Sequence, residues 1–395
     1  MIRYFTAGES HGQALVGIVE GIPAGLSLSA AYINHQLWRR QQGYGRGGRM
    51  RIEKDAVEIL SGVRFGKTLG SPVALVVRNQ DWEHWKQKMA VDGAGRGVEK
   101  ITIPRPGHAD YVGLIKYGYD DIRNTIERAS ARETAMRVAC CTVVRKLLEE
   151  LGIYIGSHVL SIGRAVYSDR TALEKQLKRL AKARCGAYKI AEEADKSEVR
   201  ILDRKVAAQA VKTIERAKEN GDTLGGIFEM IVTGMPAGVG SYVQFDRRLD
   251  GQLCQAVGSI HAVKGVEIGD GFANALKLGS EVHDEIFVDK NGTIYRKTNR
   301  AGGLEGGVTN GQWLVLRGAM KPLSTLMQPL RTVDLKTRSP VAARRERSDY
   351  CAVPACAVIS EAVIAPVIAN SFLEKYGGDS MPEIKRRYNK TRRKT

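Results

Sequence analysis

The chain has 395 residues, 43% of them apolar, enough to bury a sizeable core as one large domain or two smaller ones. Lys and Arg number 61 against 43 Asp and Glu, a formal charge of +18 that draws polyanions. No run approaches the roughly 18 apolar residues of a membrane span, and the N-terminus lacks the charged-then-apolar pattern of a secretory signal, so a cytoplasmic protein is expected.

In chain order, Gly8-Glu9-Ser10-His11-Gly12 comes first, a histidine framed by glycine in a segment without periodicity. Ile18 to Leu26 then reads as strand, Gly-x-Pro-Ala-Gly turn, strand, followed by helical spacing from Tyr32 to Arg40. Arg39 to Arg51 sets five arginines among four glycines, a composition suited to surrounding an anion, because guanidinium presents bidentate donors and glycine lets the backbone come close. Gly43-x-Gly45-x-x-Gly48 matches the dinucleotide-binding letters but not their context of strand, glycines, helix.

The segment from Lys86 to Gly97 reads as a loop able to close over a site. Pro104-Arg105-Pro106-Gly107-His108-Ala109-Asp110 holds a second glycine-framed histidine, and imidazole can exchange a proton near neutral pH. Such histidines are either presented for chemistry or structural. Ser130-Ala131-Arg132-Glu133 has the spacing of a capping box, opening an apolar helical stripe that ends before Gly152. With Arg128 and Arg132 beside it, this is an anion site or a plain helix start. Cys140 and Cys141 fall in that stripe as small hydrophobes, no Cys-x-x-Cys pair occurs among the six cysteines, and no metal is expected.

From about 168 to 220 the chain turns charged and reads as exposed helices, Thr171 to Ala183 and Asp203 to Lys218. Ile231 to Val239 repeats the earlier Gly-x-Pro-Ala-Gly pattern and is followed by helical spacing from Leu249 to Val257, which predicts two similar halves, about 1–155 and 222–380, in one domain. Lys290-Asn291-Gly292-Thr293 marks a hairpin. Arg300 to Gly311 carries a second glycine run that permits close approach to a flat or phosphorylated ligand. Lys321 to Thr325 offers a cation and two hydroxyls, and Arg344 to Asp349 sets a carboxylate among arginines, a site or a surface charge cluster. Residues 381–395 form a basic tail, solvated on the rule that blocks of like charge are exposed.

Seven segments taken together resemble the chorismate synthase family. They are Thr6 to Gly12, Gly43 to Met50, Arg105 to Asp110, Arg128 to Glu133, Gly265 to Gly269, Gly302 to Gly307 and Arg347 to Asp349, and the similarity runs from the first strand to about Asp379. The resemblance implies an α+β fold, specifically a β-α-β sandwich with an internal pseudo-repeat, a homotetramer, and anti 1,4-elimination of phosphate from 5-enolpyruvylshikimate 3-phosphate to chorismate with reduced FMN and no net redox change. It assigns His11 to protonate the departing phosphate, His108 to protonate or steady the reduced flavin, and Asp349 to relay the substrate proton through the flavin. Arg40, Arg46, Arg49, Arg105 and Arg132 would hold substrate anions, with Arg40 and Arg46 alternatively meeting NADPH in members that reduce their own flavin. Flavin contacts would come from Arg128, Ala129, Ser130, His261, Ala262, Gly306, Lys321, Pro322, Leu323, Ser324, Thr325 and Arg347. His261 departs from the family's Gln or Asn. A small phosphorylated dicarboxylate accounts for clustered arginines better than nucleic acid does, and neither the 6% aromatic content nor any reader motif favours a nucleic-acid partner or a membrane.

Overall fold

Strands β1 (Arg3–Ala7) and β2 (Ala14–Glu20) alternate in burial from residue to residue, as a sheet with one packed and one open face requires. The computed structural model, which describes residues 1–47, 54–93, 95–183, 185–346 and 348–392, is α+β. After β1 and β2 come β3 (Val57–Ile59), the hairpin β4 (Val63–Arg64) and β5 (Lys67–Thr68), and β6 (Val73–Arg78). The first sheet has the antiparallel order β1-β2-β6-β3. Later strands are β7 (Tyr154–Ile162), β8 (Ala165–Val166), β9 (Gly226–Thr233), β10 (Val263–Ile268), the hairpins β11 (Ile286–Val288)/β12 (Ile294–Arg296) and β13 (Leu304–Glu305)/β14 (Val308–Thr309), β15 (Leu314–Met320), and β16 (Arg331–Val333)/β17 (Pro340–Ala342). The second sheet runs β10-β15-β9-β7-β8.

Helix Glu133–Glu150 packs on the first sheet, helix Val353–Tyr376 on the second, and the two helices pack on each other. Close approach is built in at Gly17, where a Cβ would stand 2.3 Å from Cys140 Sγ and 2.6 Å from Met136 Sδ. Helices Ala30–Gln41 and Leu249–Gly258 join this layer. At its centre the fully buried Glu361 accepts from Arg39 Nη1 (2.6 Å), Arg145 Nη1 (2.5 Å), Arg200 Nη2 (3.2 Å) and Ser157 Oγ (2.6 Å).

The two copies of the Gly-x-Pro-Ala-Gly turn have the same hydrogen bonds. Thr68 Oγ1 donates to Pro23 O (2.6 Å) and accepts from Leu26 N (2.9 Å), while Thr309 Oγ1 donates to Pro236 O (2.6 Å) and accepts from Val239 N (2.9 Å). Gly21 and Gly25, like Gly234 and Gly238, sit at φ between +79° and +84°, which side-chain-bearing residues rarely adopt. The chain after each turn pairs only through isolated bridges such as Ser27 with Lys67, where the sequence predicts a second strand.

Three further expectations change. Helices Thr171–Leu180 and Gly186–Asp195 are not simply exposed: Leu173, Leu177 and Ile190 bury against Leu160 and Ile231 of the second sheet. Residues Met381–Arg392 form a helix, not a solvated tail, with Met381, Ile384 and Tyr388 buried. Helix Val353–Tyr376 is long and apolar enough to cross a membrane, with a mean hydropathy of 1.8 over its best window, although the sequence reading found no such run; 83% of that window is buried inside the protein, as in a core helix.

Candidate active site

Two adjoining cavities, of about 210 and 820 Å³, share the wall formed by Ser130, Ala131, His261, Ala262, Leu323 and Ser348. Segments far apart in sequence meet here: the loop after β1, the start of helix Glu133–Glu150, the turn before β10, the segment after β15 and the approach to helix Val353–Tyr376. His11 and His108 line the larger cavity and Asp349 the smaller.

His11 is held on three sides. Its Nδ1 lies 3.0 Å from both Glu127 carboxylate oxygens, and its backbone N–H donates to Glu127 Oε2 at 2.8 Å. The Trp85 indole stacks on the ring at 3.9 Å and donates from Nε1 to Asp81 Oδ2. Burial opposes ionisation of Glu127, but hydrogen bonds from His11 and Arg123 and the charge of His11 outweigh it and hold the carboxyl below its usual range. Trp85, at the end of the short helix Trp82–Trp85, lines the larger cavity, whereas no described residue of the 86–97 loop expected to close over a site lines either one.

His108 has the same arrangement. Its Nδ1 lies 2.5 Å from Oδ1 of the fully buried Asp110. Arg105 also binds Asp110, through backbone N (3.0 Å), Nε (2.9 Å) and Nη2 (3.0 Å), and sends Nη1 to Glu346 Oε2 (2.8 Å) and Thr325 Oγ1 (3.1 Å). Burial would raise the Asp110 carboxyl, yet His108 and Arg105 hold it far below the ordinary carboxylate value. Arg105, expected to hold a substrate anion, is therefore already saturated by protein acceptors.

The smaller cavity is arginine-lined. Arg132 and Arg40 flank the buried Asp55, and Arg132 Nε also donates to Asn79 Oδ1 at 3.0 Å. Arg40 bonds Thr134 Oγ1 and Ala131 O. Burial, reinforced by Arg46 and Arg132 and opposed by Asp55, lowers Arg40 to about 10, so it remains a cation at neutral pH. Across the cavity Arg46 Nη1 meets Asp349 Oδ2 at 3.1 Å, and Gly47 N–H donates to Asp349 Oδ1 at 2.6 Å.

On the shared wall, burial, helped by Arg137, His108 and Arg128 and opposed by Glu133, lowers the His261 pKa, which keeps the imidazole neutral at pH 7. Its buried Nδ1 has no hydrogen-bond partner among the described residues. Ala262 holds φ +66°, a costly conformation for alanine, and its carbonyl accepts from Lys321 N at 2.9 Å. Ala129, Lys321, Ser324 and Thr325 line the larger cavity.

Several expected residues lie elsewhere. Arg128 donates to Thr6 O and Gly8 O and lines neither cavity. Pro322 is exposed. Gly306 sits in the turn of the β13/β14 hairpin near Tyr242, so within one chain it does not reach the cavities. The rest of that glycine run is used for packing: a Cβ on Gly302 or Gly303 would strike the backbone of Gly269 or Trp313. The capping box does not form. Ser130 Oγ meets Ser10 Oγ at 3.0 Å and Glu133 Oε1 accepts from Thr6 Oγ1, so tertiary partners displaced the local pairing. Arg49 and Arg347 lie outside the described residues.

Sequence reasoning missed Glu127, Asp55, Arg123 and Lys264, whereas Arg344, in the charged run read as a site or a surface cluster, lines the larger cavity. Each missed residue is an ordinary charged residue locally, and only tertiary pairing brings it to or behind the cavity walls.

The family model for chorismate synthase matches residues 2–373. A chorismate synthase of Chloroherpeton thalassium is 58% identical over 388 residues, covering 98% of each chain, and one of Chlorobaculum tepidum is 58% identical over 388 residues, covering 98% of this chain and 96% of its own. A crystal structure of chorismate synthase superposes with a TM-score of 0.79 at 42% identity, covering 99% of this chain and 97% of that one.

Proposed function

This chain belongs to the chorismate synthase family, and on that premise we propose that the two cavities form one active site in which 5-enolpyruvylshikimate 3-phosphate loses phosphate to give chorismate beside a bound reduced FMN. The observation that carries the reading is the convergence of two carboxylate-anchored histidines, an arginine-paired aspartate and a ring of cations on adjoining cavities.

The substrate has two carboxylates and a phosphate, and Arg40, Arg46 and Arg132 supply fixed cations for such a polyanion. Arg105 contributes its Nη1 edge once a substrate anion replaces Glu346. His11 gives a proton to the departing phosphate oxygen from the ring nitrogen opposite Glu127. Asp349, positioned by Arg46 and the Gly47 N–H, takes the ring proton.

The larger cavity suits a flavin. At about 820 Å³ it is in the range of cofactor pockets, and it presents His261 Nδ1, which has no partner among the described residues, the Ser130 hydroxyl, the Ala262 turn and Lys321. Burial and neighbouring Lys264 lower the Lys321 pKa. Ala129, Leu323, Ser324 and Thr325 complete the cradle, with His108 beside it. When bound, reduced FMN supplies electron density to the substrate centre that develops electron deficiency as phosphate leaves. His261 in place of Gln or Asn still offers a ring nitrogen there.

In this reading the fold is a β-α-β sandwich of two copies of one unit. Support comes from the matching strand orders β1-β2-β6-β3 and β7-β9-β15-β10 and from the Thr68 and Thr309 turns. The protein is a cytoplasmic homotetramer; Phe5, Val16 and Ile18 form an exposed apolar face on the first sheet that a second copy would cover.

Anaerobic mixing with reduced FMN and the enolpyruvyl substrate is expected to release phosphate and form chorismate in equal amounts. No turnover under these conditions overturns the proposal. Comparing NADPH-driven turnover with chemically reduced flavin reads whether the same site reduces its own flavin.

A further inference from the structure

We propose that Glu127 and Asp110 are positioning residues, each fixing the Nδ1 side of one cavity histidine so that its Nε2 is the nitrogen offered to the reactants; this rests on the roles given above to His11 and His108.

Both carboxylates have side chains only 1% exposed, and a carboxylate buried that far needs donors around it. Glu127 collects His11 Nδ1, the His11 backbone N–H and Arg123 Nη1. Asp110 collects His108 Nδ1 and three donors of Arg105. An ionised carboxylate can only accept, so Nδ1 of each ring carries the proton. A neutral ring then has its lone pair on Nε2, and a doubly protonated ring has Nε2–H as its transferable proton. Arg105 Nη2 approaches His108 Nδ1 at 3.1 Å and Nε2, more weakly, at 3.4 Å, but a guanidinium cannot accept, so the Nδ1 proton belongs to the 2.5 Å contact with Asp110 and a bound reactant has only the long Arg105 contact to displace at Nε2.

The device is the same on two unrelated pieces of chain. Glu127 comes from helix Arg123–Arg128, 116 residues from His11, whereas Asp110 is two residues from His108. The other charged groups near His11 are Arg123, 5.0 Å from the Trp85 ring centre, and Asp81 behind that indole. Those near His108 include Arg105, His261 and Lys321, whose Nζ donates to Gly107 O at 3.2 Å. None of these can hold Nδ1 as an ionised acceptor at hydrogen-bond distance.

The test combines imidazole ¹⁵N spectra of histidine-labelled protein with steady-state kinetics on reduced FMN, for wild type, Glu127→Gln and Asp110→Asn. His11→Ala and His108→Ala assign the resonances. The wild-type rings, when neutral, are expected as Nδ1–H. In the amide variants the acceptor is weaker and brings its own N–H groups, so the Nε2–H form rises and kcat falls on the order of 10²-fold, while KM changes less than about threefold. Adding Glu127→Gln to His11→Ala costs nothing further, because Glu127 acts through the ring. Where an amide variant does not fold, Glu127→Asp and Asp110→Glu serve, lowering kcat by displacing the carboxylate while the Nδ1–H form persists. An unchanged Nδ1–H form in both amide variants, or an unchanged kcat in the folded variants, overturns the inference. A fully active His11→Ala or His108→Ala enzyme sinks instead the role given to that histidine, and the spectra still decide whether its carboxylate orients it.

Discussion

Asp349 Oδ1 accepts the Gly47 backbone N–H at 2.6 Å, joining segments 302 residues apart. Beside this bond Tyr350 N–H donates to Gly45 O at 2.8 Å, so the first arginine-glycine run is laced to the approach of the long helix. The acid and the arginine beside it are thus set by backbone contact as well as by charge.

Gly47→Ala tests that contact. A Cβ would stand 2.7 Å from Ser348 O and 3.3 Å from Asp349 Oδ1, and backbone on that side has little room to yield. The expected result is a loss of kcat/KM on the order of 10²-fold, the effect of misplacing a reacting group by about 1 Å. Thermal unfolding should shift little, since the contact is at the cavity wall. Wild-type kinetics in this variant contradict the role of the lacing.

The parts of the candidate site legible in sequence were those in segments without periodicity. His11 and His108 stand in glycine-framed loops, where a merely structural histidine has little to pack against. Their partners were less visible. Glu127 looks like any charged residue of a short helix, and Asp55 lies 77 residues from the Arg132 it pairs with. The capping box failed because Ser130 and Glu133 had better tertiary partners in Ser10 and Thr6. The repeat was legible because Gly-x-Pro-Ala-Gly encodes backbone conformation directly, through glycines at positive φ.

Glu361 makes stability depend on pH in a definite direction. Burial opposes its ionisation, but Arg39, Arg145 and Arg200 outweigh that and depress the carboxyl well below its ordinary value. A depressed folded value contributes stability that is fully present above the unfolded carboxyl value of about 4.3 and is lost as pH falls through the folded one. Glu361→Gln takes the shared central anion from three buried guanidiniums, which keep only the partly exposed Asp195 and Glu149, and should cost about 3–5 kcal/mol at pH 7. Denaturant midpoints measured from pH 7 down to pH 3 should fall less steeply in the variant; parallel curves contradict the assignment.

The paired turns predict paired costs. Thr68→Val and Thr309→Val each remove a donor to a proline carbonyl and an acceptor for a backbone N–H at buried positions. Each should lose about 1–3 kcal/mol in denaturant unfolding. The two turns share no partner, so the double variant should equal the sum within about 0.5 kcal/mol. One silent substitution beside one costly one contradicts equivalence of the two turns.

Tyr388 lies in a segment whose charge suggests nothing but solvent. Its ring nevertheless meets Phe372 at 5.1 Å and Tyr376 at 5.0 Å, both edge-on, and only 5% of the residue is exposed. Met381, Ile384 and Tyr388 follow i, i+3, i+7 spacing, an amphipathic signal hidden among lysines and arginines. The basic residues keep that helix wet on one side while the aromatic face seals the end of helix Val353–Tyr376. Tyr388→Ala should therefore cost about 3 kcal/mol, the lower end for emptying a buried aromatic position. Charge-reducing changes at the exposed Arg386 should stay within about 0.5 kcal/mol. Thermal melts of the two variants separate a packed helix from a solvated tail: equal, small shifts contradict the packing, and a large loss at Tyr388 alone is the expected outcome.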